Sequence, residues 1–156
     1  MVIRRAGLED LAALQGCFFA SVSVLAAPYY SAEQRRAWVE RMLSNNASWQ
    51  SKLVDNLVWQ ARNGDELQGF CSLTPQGLID WLFVHPLHAR RGVASALLEQ
   101  AETMARYEGL PRLEAFVSLA AESAFIMAGY KLDYRQEVDI NGTLLPNAHM
   151  VRTLGA

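Results

Sequence analysis

The sequence predicts a mixed α/β fold with elements in the order β-α-α-β-β-β-α-β-α-β-β. Three features of the chain predict it. Across the stretch Leu82–Glu102 the apolar period changes from two to about four at Gly92, so a strand gives way to a tight turn and then a helix. Two Asn-Gly pairs, Asn63-Gly64 and Asn141-Gly142, stand between β-rich runs, the strongest short-range signal for a hairpin. Hydrophobic residues are 51% of the 156, enough for a full core, and no linker, repeat or low-complexity tract divides the chain, which reads as one domain over 1–156.

The elements follow in turn. Met1–Arg5 alternates enough for a first strand. Leu8, Leu11, Leu14, Phe18 and Val22 recur at helical spacing and predict a helix from about Leu8 to Leu25, interrupted by Pro28. Ser31-Ala32-Glu33-Gln34 has the form of a capping box and starts a second helix through Trp38 and Met42, which Ser44-Asn45-Asn46 ends. Leu57–Arg62 and Leu67–Leu73 are strands around Asn63-Gly64, and Thr74–Gly77 is a turn. Leu78–Val84 is mostly apolar, as a central strand covered on both faces must be. The helix Gly92–Tyr107 stops at Gly109, with Pro111 beyond. Arg112–Ser118 is a strand and Ala120–Ala128 a short helix closed by Gly129. Tyr130–Ile140 and Thr143–Leu154 pair through Asn141-Gly142.

Charge and composition narrow the function. The net charge is -2, against the basic balance of a nucleic-acid binder. No apolar run approaches a membrane span and no signal peptide opens the chain, so a cytoplasmic protein is expected. Cys17 and Cys71 each sit in an apolar pattern and read as buried thiols. No His/Cys/Asp spacing calls for a metal.

The turn after Val84 carries the chemistry. Pro86 ends the strand because it cannot donate to a ladder. Ala89-Arg90-Arg91-Gly92 then leads into a helix whose first N–H groups lack intrahelical partners and lie at the positive end of its dipole. Gly92 lets backbone approach a ligand, and two arginines stand beside it. That is the build of a phosphate or diphosphate site. The chain has neither G-x-x-x-x-G-K-[ST] nor G-x-G-x-x-G. Instead Val84-His85-Pro86, Ala89-Arg90-Arg91-Gly92-Val93-Ala94 and Leu97-Leu98 resemble the acyl-CoA motif of the GNAT superfamily of N-acyltransferases: V-x-P, then [QR]-x-x-G-x-[GA], then a helix with paired leucines. Ala89 departs from the Gln or Arg of the first hexad position, which weakens one contact and keeps the backbone amide. A second signature, Asn-x-x-Ala-x-x-x-Tyr-x-x-x-Gly-[FY], is matched in register by Ser118, Ala121, Phe125, Gly129 and Tyr130. Ser and Phe at those positions look like a bacterial branch that also carries Tyr-Ser-x-x-Gln-x-x-x-Trp, seen here as Tyr30-Ser31-Glu33-Gln34-Trp38.

The resemblance implies a GNAT-type, mostly antiparallel sheet flanked by helices, with acetyl-CoA as cosubstrate. It implies that Phe83 and Val84, the loop Ala89, Arg90, Arg91, Gly92, Val93, Ala94 and Ser95, and Ser118 and Phe125 hold that cosubstrate. It also implies transfer of acetyl to a primary amine of a small molecule or peptide, by a monomer or homodimer without nucleic-acid or membrane partners.

An alkylammonium has a pKa near about 10, so its proton must be removed before attack. Asp80, an ionisable group in an apolar strand, is the leading base; the competing reading is a salt-bridged carboxylate. Glu114 shares strand parity with Ser118 and is a second candidate. Relatives often use a tyrosine at the Phe125 position to protonate the leaving thiolate, and phenylalanine has no proton to give. Three routes stay open: departure unaided or through water; a substitute hydroxyl from Tyr130, Tyr134 or Ser118; or acyl-CoA binding without transfer, as in a sensor or regulatory module. A plain nucleotide-binding protein is the remaining class. His85 either faces the mouth of the site, packs on Pro86 or meets solvent, and His88 and His149 read as surface or structural. Tyr29, Tyr30 and Trp38 are expected to wall the acceptor site or else to pack the first helices onto the sheet.

Overall fold

The computed structural model describes residues 1–155. A seven-stranded sheet runs through it in the order β1-β2-β3-β4-β5-β7-β6. The strands are β1 (Val2–Arg5), β2 (Leu57–Asn63), β3 (Glu66–Leu73), β4 (Leu78–Val84), β5 (Arg112–Ser118), β6 (Lys131–Ile140) and β7 (Thr143–Thr153). Every neighbouring pair is antiparallel except β4 and β5. The helices are α1 (Leu11–Val24), α2 (Ala32–Leu43), α3 (Asn46–Asp55), α4 (Val93–Tyr107) and α5 (Glu122–Met127).

The order matches the expectation with one addition, α3. Asn45 does not only end α2. Its side chain accepts the Ser48 N–H at 3.0 Å and so caps a new helix. Trp49 and Leu53, one turn apart, fasten α3 to the core. The capping box of α2 forms as expected, with Ser31 and Gln34 bonding each other's backbone. At the β6–β7 corner, Asn141 (φ 50°) and Gly142 (φ 91°) join Ile140 to Thr143 in a two-residue turn with both central residues left-handed.

The sheet separates two apolar layers. On one face, Leu97, Leu98, Ala101 and Ala105 of α4 pack on Trp59, Cys71, Leu113 and Met150. On the other, Leu14, Phe18 and Val22 of α1 and Trp49 of α3 pack on Val58, Phe70 and Trp81. Both cysteines are buried thiols, and burial pushes Cys17 up to about 12 and Cys71 further in the same direction. Among the described residues, no helix is long and apolar enough to cross a membrane.

Two irregularities of β4 open the sheet near its end. Trp81 pairs with Ser72 and Ile79 with Leu73, so Asp80 is an extra residue in the strand, a β-bulge. The bulge reverses parity: Ile79 belongs to the α4 layer, whereas Trp81 belongs to the α1 layer. Then β4 and β5 pair only at Leu78–Glu114 and Ile79–Ala115, and beyond that rung they part.

Candidate active site

The gap between the parted strands joins two depressions. A groove of about 640 Å³ runs along the end of β4, the turn before α4, the α1–α2 joint and α5. A smaller cavity of about 190 Å³ lies between α2, the bulge of β4 and strands β5, β6 and β7. Trp38, Leu82, Phe83, Ser118 and Ala121 line both, so the two meet at the gap.

The groove has a main-chain floor. His85 N–H donates to the Gln68 carbonyl at 2.8 Å. Alternation along an antiparallel pair therefore turns the N–H groups of Leu82 and Val84 away from β3, into the gap. At the turn, Arg90 (φ 61°) and Gly92 (φ 81°) are both left-handed. No atom lies within 4 Å of where a Gly92 Cβ would sit, so the turn is open on that side. The first backbone bond of α4 runs from Ala96 N–H to the Gly92 carbonyl, which leaves the amides of Val93, Ala94 and Ser95 without intrahelical acceptors. Ala89, Arg90, Gly92, Val93, Ala94 and Ser95 all line the groove, and Arg91 is exposed outside it. Unfilled amides at a helix start, in an open cradle, fit a diphosphate.

Beneath the turn sits His88, which the sequence places as surface or structural and which proves to be structural. It is buried, with Nε2 2.9 Å from Glu66 Oε1 and Nδ1 3.4 Å from Gln68 Nε2, and it lines the groove. His85 neither opens on the site nor merely packs: its Nδ1 accepts the Leu87 N–H at 3.2 Å and caps the short turn.

The cavity draws on side chains from distant parts of the chain. Asp80 lines it, and its Oδ2 is bonded to Lys52 of α3 at 2.8 Å. Tyr30 lines it too, buried, with its hydroxyl donating to the Pro146 carbonyl at 2.6 Å and accepting from Leu119 N–H at 2.9 Å. Burial raises the Tyr30 pKa, opposed by the Leu119 amide. Trp38 meets Tyr30 edge-on at 5.7 Å and Phe83 at 6.2 Å. Tyr29 is exposed on the groove side. Asn147, which the sequence did not single out, lines the cavity, and its Oδ1 is buried without a hydrogen-bond partner. Phe125 is buried, lines the cavity and packs edge-on to Tyr130 at 4.9 Å.

Three sequence candidates lie elsewhere. Glu114 is held by Arg112 at 2.9 Å and His149 at 3.1 Å, outside both depressions, because β5 and β4 are still paired at its level. Tyr130 faces the α4 layer rather than the gap, and burial raises its pKa, so its proton is hard to give. Tyr134 stacks on His149 at 4.9 Å. Of the three hydroxyls considered, Ser118 alone lines the junction. Among the described residues, no group of His, Cys, Asp and Glu side chains is arranged to hold a metal ion.

Residues 26–151 match the acetyltransferase (GNAT) domain family. The chain belongs to the GNAT superfamily. It is an acyl-CoA-dependent acyltransferase with acetyl-CoA as cosubstrate. It is 32% identical over 141 residues to the uncharacterized N-acetyltransferase YafP of Escherichia coli (strain K12), covering 90% of this chain and 88% of that one. A GCN5-related N-acetyltransferase from Rhodopseudomonas palustris shares 33% identity and a TM-score of 0.92 over 98% of this chain and 95% of its own. PaiA N-acetyltransferase from Thermoplasma acidophilum, solved with coenzyme A, has the same GNAT fold at 21% identity, with a TM-score of 0.79 over 97% of this chain and 98% of its own.

Proposed function

We propose that this GNAT chain moves an acetyl group from acetyl-CoA to a primary amine of a small molecule or peptide, by direct attack of the amine on the thioester. The observation that carries the reading is the meeting of groove and cavity at the gap, with the Leu82 and Val84 amides turned into it. The amides of the turn and of the first residues of α4 hold the diphosphate, with Arg90 beside them. The thioester lies in the gap, where the Val84 N–H donates to its carbonyl oxygen as that oxygen gains charge. Such a donor is worth about 10²–10³ in rate.

The amine enters from the cavity. Asp80 takes the ammonium proton, and the bulge aims its carboxylate there. Lys52 holds Oδ2 of Asp80 and leaves Oδ1 to the amine. The amine nitrogen then bonds to the carbonyl carbon, the C–S bond breaks, CoA leaves as thiolate, and the remaining excess proton on nitrogen passes through water to that sulfur. A thiol pKa of about 8.5 makes that departure feasible through water, with Ser118 the hydroxyl at hand. Two buried free thiols suit the reducing cytoplasm.

The test is release of CoA thiol from acetyl-CoA against a panel of amines, peptides and aminoglycosides, beside thermal shift with CoA, ATP and NAD. Thiol release dependent on an amine, and stabilisation by CoA over ATP and NAD, are expected. Stabilisation by ATP without CoA overturns the donor assignment. Stabilisation by CoA with no amine-dependent release identifies a sensor instead.

A further inference from the structure

We infer that the acceptor is a compact apolar monoamine: one primary ammonium on a single ring or short branched alkyl group, with no carboxylate. This rests on the acetyl-transfer reading above and narrows it. The cavity measures about 190 Å³. An engineered cavity of about 150 Å³ lined by aliphatic and aromatic side chains takes benzene, so the space suits a body of that size. A peptide terminus or an aminoglycoside would have to leave most of its bulk outside it.

The wall chemistry agrees with the size. Met42, Phe83, Val138, Ile140 and Leu145 supply aliphatic and aromatic surface. Among the described residues, the only charged side chain lining the cavity is Asp80, and no Lys or Arg does. A carboxylate on the acceptor, as in a free amino acid, would sit beside the Asp80 carboxylate, with Lys52 already engaged at Oδ2 and no other cation lining the cavity, and like charges repel. A polyamine would bring further cations to a place with one carboxylate, already half engaged. Lys52 occupies Oδ2 of Asp80, and no described protein group bonds Oδ1. That free oxygen takes one ammonium. Asn147, lining the same space with an unpartnered carbonyl oxygen, is the second acceptor available to an amine. Trp38 and Phe83, tilted 52° to each other, form the aromatic side of the wall.

The experiment measures kcat/KM at saturating acetyl-CoA for phenethylamine and isoamylamine, against phenylalanine, spermidine, kanamycin and a tripeptide with a free N-terminus. CoA affinity is followed in parallel by calorimetry. The two compact amines are expected to exceed the others by about tenfold or more. Val138→Trp, which fills the cavity, is expected to remove their turnover and leave CoA affinity unchanged. Val138→Ala is expected to shift preference toward a bulkier amine such as naphthylmethylamine. Equal or better turnover of phenylalanine, spermidine, kanamycin or the tripeptide overturns the inference. So does wild-type protein that binds CoA yet turns over neither compact amine, or a correctly folded Val138→Trp that keeps full turnover. Protein that takes up no CoA fails the donor reading and this inference together; protein that binds CoA and prefers spermidine fails the inference alone.

Discussion

The proposed donor groove and acceptor cavity are built from different materials. The part of the groove that suits a diphosphate is main chain: amides at the end of β4, the left-handed turn at Arg90 and Gly92, and the unfilled start of α4, all within one short run of sequence, while the α1–α2 joint and α5 supply the opposite wall. The cavity is made of side chains brought from α2, the β4 bulge and three later strands. A backbone site demands a fixed order of strand, turn and helix, so it leaves a spaced motif. A side-chain site demands only that apolar and polar groups arrive together, and many sequences satisfy that.

The contrast can be broken by substitution. The largest effect is expected at Asp80. Asp80→Asn removes the proposed base and should lower kcat by about 10²-fold or more while CoA affinity, read by calorimetry, stays put; a parallel fall in CoA affinity would mean the two sites are not separable. Next is Gly92→Val. The new side chain meets open space, so the strain is that of the left-handed backbone, about 1–2 kcal/mol; the free turn sheds it by leaving that conformation, and CoA affinity falls by about tenfold, with the KM for amine unchanged. Tyr30→Phe comes third. It leaves the Pro146 carbonyl and the Leu119 amide unpartnered, which costs about 1–3 kcal/mol and lowers Tm by about 2–10 °C. It should also raise the KM for amine without touching CoA affinity. The smallest effect is expected from Phe125→Tyr. It adds a hydroxyl beside the gap, so turnover should hold or rise a few-fold; abolished transfer with intact CoA binding would refute this picture of the site.

Legibility in the sequence divides along the same line. Strand β4, the turn and α4 are readable nearly to the residue, because Pro86, Gly92 and the change of period are local causes. The hairpin at Asn141-Gly142 is readable for the same reason. Helix α3 is not: Ser44-Asn45-Asn46 serves equally as an end and a beginning, and Trp49 with Leu53 give only one helical repeat to see. Losing α3 hides Lys52, and with it the ion pair that Asp80 makes. The bulge is also invisible, since an extra residue in β4 is defined only by its pairing with β3. Parity counting through β5 puts Glu114 with Ser118 on one face, which is true of the strand. It cannot say that β4 and β5 still touch at Glu114 and have parted by Ser118.

One phenol has a mechanical consequence. The Tyr30 hydroxyl spans from Leu119, at the tip of one parted strand, to Pro146, on the strand beside it. It acts as a rivet between the α1–α2 joint and the far lip of the split sheet. Because one oxygen makes both bonds, displacing the phenol releases the joint and the lip together.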